Sequence, residues 1–328
     1  MAGESSERGE GRLALALRVV SQEYLPLGGW LLIWAAVAAA YRPADAVRLL
    51  AATLMCRAVR ELVAMDTGAA TRRRYAATAE VVRRSMRIAM RVEAATLVVS
   101  IVTLAAIVAW LTYLDQERAA LLTAILATSL PARHFAAANR GHRHGGLFAV
   151  GAAWSGLALI LVVIVLGLRI EAAAWAMALR EYVALALTLL LKPNSPPRTP
   201  QTSEPLRWRE VAAITATLAR HRLAYRVSKG LLSIFGPLGS IAARTGRGVG
   251  AHRKLDRFTP QAPWKIAALA VVTAGVAVVA LYLVREPATL VIAAGLLRVA
   301  AAATSTAIWA RYADAHGLSD VGDLDDED

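Results

Sequence analysis

Five arginines, Arg48, Arg57, Arg60, Arg180 and Arg298, stand with Glu181 inside stretches otherwise apolar enough to lie in a membrane. A charge at the centre of a bilayer costs at least ~2.5 kcal/mol unless it meets protein or water. A guanidinium is planar, binds phosphate or carboxylate through two parallel hydrogen bonds and stays protonated. Arg57 and Arg180, with Glu181, Arg48 and Arg298 beside them, therefore suit an anion-binding cavity within the membrane. The competing reading is structural: Arg180 pairs with Glu181 or another acid, Arg57 and Arg60 reach the inner interface, and Arg48 reaches the outer one. Proton coupling needs an acid in the membrane. Glu181 is the well-placed one, provided that no Arg holds it in a fixed pair.

Other chemistries are poorly served. His134, His142 and His144 share a basic loop beside Gly145 and Gly146 with no carboxylate nearby, which reads as a solvated loop and not a metal site. Gly246, Gly248 and Gly250 imitate a phosphate-cradling loop but have no preceding strand and no G-K-[ST]. Asp45, Asp66, Asp256 and Asp314 are scattered, so paired carboxylates are missing, no catalytic residue is assigned, and the chain is not read as an enzyme. No cofactor or metal is expected. The single Cys56 excludes an intrachain disulfide and reads as a buried thiol.

What must position these residues is a set of membrane helices. The chain has 328 residues, 57% of them apolar, and a mean hydropathy of +0.47, which places it in the membrane class. Two apolar runs, Gly146–Leu168 and the stretch ending at Leu191, are each long enough to cross roughly 30 Å, and the short break at Arg169–Ala172 makes them a hairpin. Before them lie spans at Tyr24–Tyr41, Ala44–Met65, Val92–Leu114 and a short one from Ala119 to Pro131, continuing as helix to Ala138. Ala44–Met65 carries Asp45, Arg48, Arg57, Arg60 and Glu61. It is either a span shielded from lipid or a helix lying in the interface. Two further spans, Trp264–Leu283 and Ala288–Arg311, close the chain.

The expected fold is thus all-α, a polytopic integral membrane protein of about eight transmembrane helices with both termini inside. Residues 1–23 form a polar and amphipathic start, 24–191 a six-span lobe, 192–263 a basic linker, 264–311 a two-span hairpin and 312–328 an acidic tail. Within the linker, Leu206–Lys229 reads as an amphipathic helix on the membrane surface, with Arg220, Arg222, Arg226 and Lys229 facing anionic lipid. This topology puts 27 basic residues in or bordering the inner segments and four in the outer loops. The net charge of +13 therefore follows membrane orientation, and nucleic acid is not expected as a partner. Arg outnumbers Lys 33 to 4 beside abundant Ala, the composition of a GC-rich, bacterial genome, and hence of an inner (plasma) membrane.

Asp66-Thr67-Gly68 followed by Arg72–Arg74, then Pro131, Arg133, Arg140, Gly141 and Arg143, then the short turn Arg169–Ala172, form a recognisable series. Over about residues 12–191 it resembles one six-helix lobe of the lipid-linked oligosaccharide flippases, the polysaccharide exporters of the multidrug/oligosaccharidyl-lipid/polysaccharide superfamily. The resemblance implies transport of an anionic lipid-linked saccharide through a cationic central cavity. That family resembles two such lobes, so it also implies a homodimer or an accessory role for this one-lobe chain. The alternative function is a non-catalytic scaffold whose basic segment 206–257 binds anionic lipid or a partner protein.

Overall fold

The computed structural model describes residues 25–63, 65–72, 79–139, 145–190, 206–236, 238–239, 242, 262–283 and 286–317. Twelve α-helices occur among them: α1 (Leu25–Ala40), α2 (Pro43–Val63), α3 (Thr67–Arg72), α4 (Ala79–Tyr113), α5 (Glu117–Ala127), α6 (Leu130–Asn139), α7 (Gly145–Val165), α8 (Ile170–Leu190), α9 (Trp208–His221), α10 (Leu223–Leu232), α11 (Pro263–Leu283) and α12 (Pro287–Ala315). No strand is present among the described residues. The N-terminal segment 1–23, the linker 192–205, His142, His144, the Gly246–Gly250 stretch and the acidic tail from residue 318 lie outside them.

Among the described residues, six helical stretches are long and apolar enough to cross a membrane: Glu80–Tyr113, Glu117–Asn139, Phe148–Val165, Ile170–Leu190, Pro263–Tyr282 and Pro287–Ala315. The protein is an all-helical, polytopic membrane protein. Apolar side chains left open on the outside mark the lipid-facing surface, among them Val98, Val102, Val162, Leu179, Val271 and Val272. The sequence places spans at α1 and α2 as well. α1 is apolar but has only 16 residues, and α2 carries too many charges to qualify by composition.

α2 is largely enclosed by protein. It packs against α12, α5, α4, α8 and α1, and Leu49, Ala51, Ala52, Leu54, Met55, Cys56, Ala58 and Val59 are all buried. Two apolar clusters meet on it. One gathers Leu49, Ala52, Cys56 and Val59 with Ile33, Leu122, Ile160 and Met177. The other sets Ala51, Leu54 and Met55 against Leu111, Leu281, Leu290 and Ala294. The C-terminal hairpin thus shares one core with the N-terminal helices, through α12 laid along α2.

Short local signals shape the joints. α7 is followed by Gly167, whose φ of +64° is the left-handed conformation glycine adopts without a Cβ clash. The amide of Gly167 donates to Ile164 O and that of Leu168 to Val163 O, closing the helix before α8 begins. The hairpin turn therefore occupies residues 166–169, a few residues earlier than the apolar pattern suggests. At Pro131 the chain stays helical: α5 breaks at Thr128 and Ser129, and α6 resumes with Pro131 in its first turn, where the missing amide hydrogen is tolerated.

Residues 206–236 depart most from expectation. The amphipathic stretch is two helices, α9 and α10, whose apolar face is packed on protein and not open to lipid. Both pack on α12, and α9 also meets α3. Its apolar face, with Val211, Ala212, Ala216, Ala219, Leu223 and Ala224 buried, is covered by protein. Gly230 permits the contact: a Cβ there would lie 2.7 Å from Val299 Cγ2.

Candidate functional site

A cavity of about 550 Å³ opens among α1, α2, α6, α7, α8, α10 and α12, at the end of the bundle where α2 finishes. Its size is that of a small-molecule site. Its lining is heavily charged. Arg57, Arg60 and Glu61 come from the last turns of α2, Arg133 and His134 from α6, and Glu181 from α8. Glu93 of α4, Arg298 of α12, Asp66, and Arg222, Arg226 and Lys229 from the α9–α10 region complete it.

Most of these cations are tied to acids. Arg133 Nη2 donates to Glu181 Oε1 at 2.8 Å, with both side chains buried. Arg180 Nη2 lies 3.3 Å from the same oxygen. Arg298 Nη2 donates to Glu61 Oε1 at 3.0 Å, and Arg226 Nε stands 3.8 Å from Glu61 Oε2. Arg222 Nη1 meets Asp66 Oδ1 at 2.5 Å, while the Asp66 amide donates to Thr215 Oγ1. Breaking such pairs leaves a charge without a partner in a poorly solvated place, which fixes the cavity walls in position.

Arg57 is different. Among the described residues it has no carboxylate within ion-pair distance; its guanidinium lies 4.7 Å from the centre of the Trp30 ring and faces the cavity. The same ring carries Arg180 at 3.9 Å. Trp is the best aromatic partner for a cation, and the contact is worth ~0.5–2 kcal/mol, so it orients Arg57 without neutralising it. A cation held this way keeps its hydrogen-bond donors for a guest.

The structure divides the arginines that the sequence groups together. Arg57, Glu181 and Arg298 line the cavity. Arg180 stands behind the wall, fully buried between Trp30 and α7, where Gly156 makes room for it. Arg48 is nowhere near: it reaches Asp45 at 3.3 Å, at the opposite end of α2, and Arg118 bridges Asp45 and Glu171 there. Arg48 sits in the first turns of α2 and Arg57 in its last ones, so the two face different ends of the bundle. Arg222, Arg226 and Lys229, expected at the lipid surface, line the cavity, because α10 turns inward over α12. The side chain of Arg220 lies outside the described ones.

Two further corrections concern acids and histidines. Glu181 is bonded to Arg133 and Arg180, the fixed pairing on whose absence its reading as a proton carrier depended. His134 is not in a solvated loop; it is buried in α6, with Nδ1 2.7 Å from Glu93 Oε2. Sequence reasoning missed Glu93, which stands at the start of an apolar span, and used Arg133 only in the series that carries the resemblance, although the helix was expected to run past it to Ala138. That continuation past Pro131 places Arg133 and His134 on a helix, which is where the structure has them. Among the described residues no group of three His, Cys, Asp or Glu could hold a metal ion. Searches of family models, curated proteins and solved structures find no match to the chain.

Proposed function

We propose that the protein is a flippase-like transporter that takes the anionic headgroup of a lipid-linked saccharide into this cavity, with Arg57 as the group that meets the phosphate. The single observation that carries the reading is Arg57 itself: a cation with no acid partner among the described residues, held on Trp30, facing a charged cavity inside a membrane bundle. The wall adds Arg60, Arg133, Arg222, Arg226, Lys229 and Arg298 against Glu61, Asp66, Glu93 and Glu181. That excess of positive charge favours a multiply charged guest such as a pyrophosphate. Trp34 adds an aromatic side chain to the same lining, on which a sugar ring can stack.

The reading comes with eight spans, counting α1 and the enclosed α2, both termini inside and a location in an inner membrane. Two copies would supply two lobes. A scaffold built on residues 206–257 is less favoured, since it needs a basic face free for a partner. Arg222 and Arg226 are already engaged with Asp66 and Glu61. No catalytic residue or cofactor enters the proposal.

The test is binding of a polyprenyl pyrophosphate to the purified protein in nanodiscs, with the neutral polyprenol as control. A charge-assisted phosphate contact is worth about 1.5–3 kcal/mol, so Arg57→Gln should weaken binding by about 10- to 100-fold. Equal binding of pyrophosphate and polyprenol, or equal binding by wild type and R57Q, would overturn the proposal.

A further inference from the structure

The basic residues expected to meet lipid, Arg222, Arg226 and Lys229, turn inward and line the cavity. Cations left open on the outside stand elsewhere, at the N-terminal end of α4. Arg83, Arg84, Arg87 and Arg91 are all exposed there. Steps of three and four residues set them along one side of the helix, together with Glu80. Glu80 is ion-paired with Arg84. Arg87 and Arg91 have no carboxylate within ion-pair distance among the described residues.

α4 keeps one side against the protein and the other open along its whole length. Ser85, Ala89, Glu93, Ser100, Leu104 and Leu111 are buried, while Ala94, Val98, Ile101, Val102, Ala105 and Ala109 are exposed. At about 100° per residue, Arg83, Arg87 and Arg91 fall on the same open side as Val98, Ile101 and Val102. Exposure is constant along that side, yet its chemistry turns from arginine to valine between Arg91 and Val98. The surroundings must change at the same place, from a polar anionic layer to hydrocarbon. Residues 92–113 measure about 33 Å at 1.5 Å each, close to a hydrocarbon core of roughly 30 Å. On an upright helix Arg91 then lies about 2 Å and Arg87 about 8 Å beyond that core, at the depth of phospholipid headgroups. Arg83 and Arg84, further out, can lean back toward the headgroups on their long stems.

A second observation, independent of charge, gives the same depth. The Leu206 amide donates to Ser85 Oγ at 3.0 Å, which pins the start of α9 beside the arginine-bearing turns of α4. Trp208, the first residue of α9, is 59% exposed, with the Arg209 guanidinium 5.8 Å from its ring centre. An open indole beside a cation suits the headgroup layer, where its apolar body and polar edge both find partners.

We propose that Arg83, Arg84, Arg87 and Arg91 form a binding stripe for an anionic phospholipid of the surrounding membrane. The ligand is a phosphodiester headgroup with no compensating ammonium, such as a phosphatidylglycerol. Four guanidinium groups against the one carboxylate of Glu80 leave the stripe strongly positive, so a zwitterionic headgroup satisfies it poorly. Guanidinium groups take phosphate oxygens through paired hydrogen bonds. The acyl chains lie along Val98, Ile101 and Val102 on the same side. An acidic protein would meet the arginines alone, whereas a lipid meets the arginines and the valines that continue them. The stripe is separate from the cavity, and the proposal does not rest on transport.

Native mass spectrometry of the full-length protein tests this, with phosphatidylglycerol and phosphatidylcholine of the same acyl chains as probes. A basic residue near an anionic headgroup contributes about a five-fold preference, so the protein should favour phosphatidylglycerol by about 5- to 100-fold. Replacing all four arginines by Gln should lower that ratio about five-fold or more, and replacing them by Lys should keep it within about three-fold. Arg42→Gln with Arg169→Gln, which removes two exposed cations at the other end of the bundle, should leave it unchanged. Should the four-Gln variant fail to insert, Arg87→Gln with Arg91→Gln decides, with an expected drop of about two-fold or more. No preference in the wild type overturns the proposal. A preference that survives the Gln replacements also overturns it, and leaves the stripe to an acidic protein. Loss of the preference in R57Q and not in the stripe variants would place the lipid in the cavity, which overturns it as well.

Discussion

Arg133 and Glu181 meet at 2.8 Å across the interface of α6 and α8, 48 residues apart in the chain and nine-tenths buried on both sides. The contact fixes the cavity floor, and Arg180 closes on the same carboxylate from behind. A further ion pair, Arg118 with Glu171 at 3.4 Å, lies at the other end of the bundle, with Arg118 44% exposed. The two settings make opposite predictions from the same chemistry.

Glu181→Gln should lower stability strongly, by about 3–5 kcal/mol, because two buried guanidinium groups lose their counter-charge. Arg118→Gln should cost no more than about 1 kcal/mol, since Arg118 is 44% exposed and Arg48 stays on Asp45, its other partner. Thermal unfolding followed by thiol labelling of the buried Cys56 reads both on one scale. Comparable losses in the two variants would contradict the assignment.

Trp30 holds two guanidinium groups, at 3.9 and 4.7 Å from its ring centre. Trp30→Phe retains a π face and Trp30→Leu does not. The leucine variant should bind a polyprenyl pyrophosphate more weakly than the phenylalanine variant, by about 2- to 10-fold, consistent with ~0.5–1.5 kcal/mol for the lost cation–π contact. Equal affinities in the two would mean that the ring only fills space.

Gly156 is required by Arg180: a Cβ at this position would stand 2.6 Å from Arg180 Cδ and 3.1 Å from Ile33 Cδ1. Gly156→Ala should destabilise by about 1–3 kcal/mol as Arg180 is pushed off Trp30. Gly151, where an added Cβ would find ordinary contacts from 3.5 Å outward, serves as the control on the same helix. Melting temperatures of the two alanine variants should separate clearly.

Much of this bundle was legible in the sequence because its lipid-facing helices announce themselves by length and apolar content. α7, α8, α11 and α12 needed nothing more. The demand that Arg57 and Glu181 find polar surroundings also followed from the cost of a charge in lipid, and the cavity supplies them. The partners could not be read. Glu61 with Arg298 spans 237 residues and Asp66 with Arg222 spans 156, and no local pattern encodes such pairings. Arg48 and Arg57 look equivalent in a list of charged residues, yet a helix of 21 residues carries them toward opposite ends. The amphipathicity of 206–229 was visible, but an apolar stripe fits lipid and the side of α12 equally well.

The encasement of α2 has a bearing on how the protein is made. A helix carrying Asp45, Arg48, Arg57, Arg60 and Glu61 gains little by partitioning sideways into lipid on its own. The helix it packs against most extensively, α12, is translated more than two hundred residues later. During synthesis α2 must wait at the insertion machinery or near the bilayer surface until the last helix arrives. Chains truncated before residue 263 should therefore leave Cys56 open to thiol reagents and be cleared by membrane proteases, while the full chain protects it. Protection of Cys56 in such truncated chains would show that α2 settles without α12. Completion of the last hairpin is, on this view, the quality-control step of biogenesis.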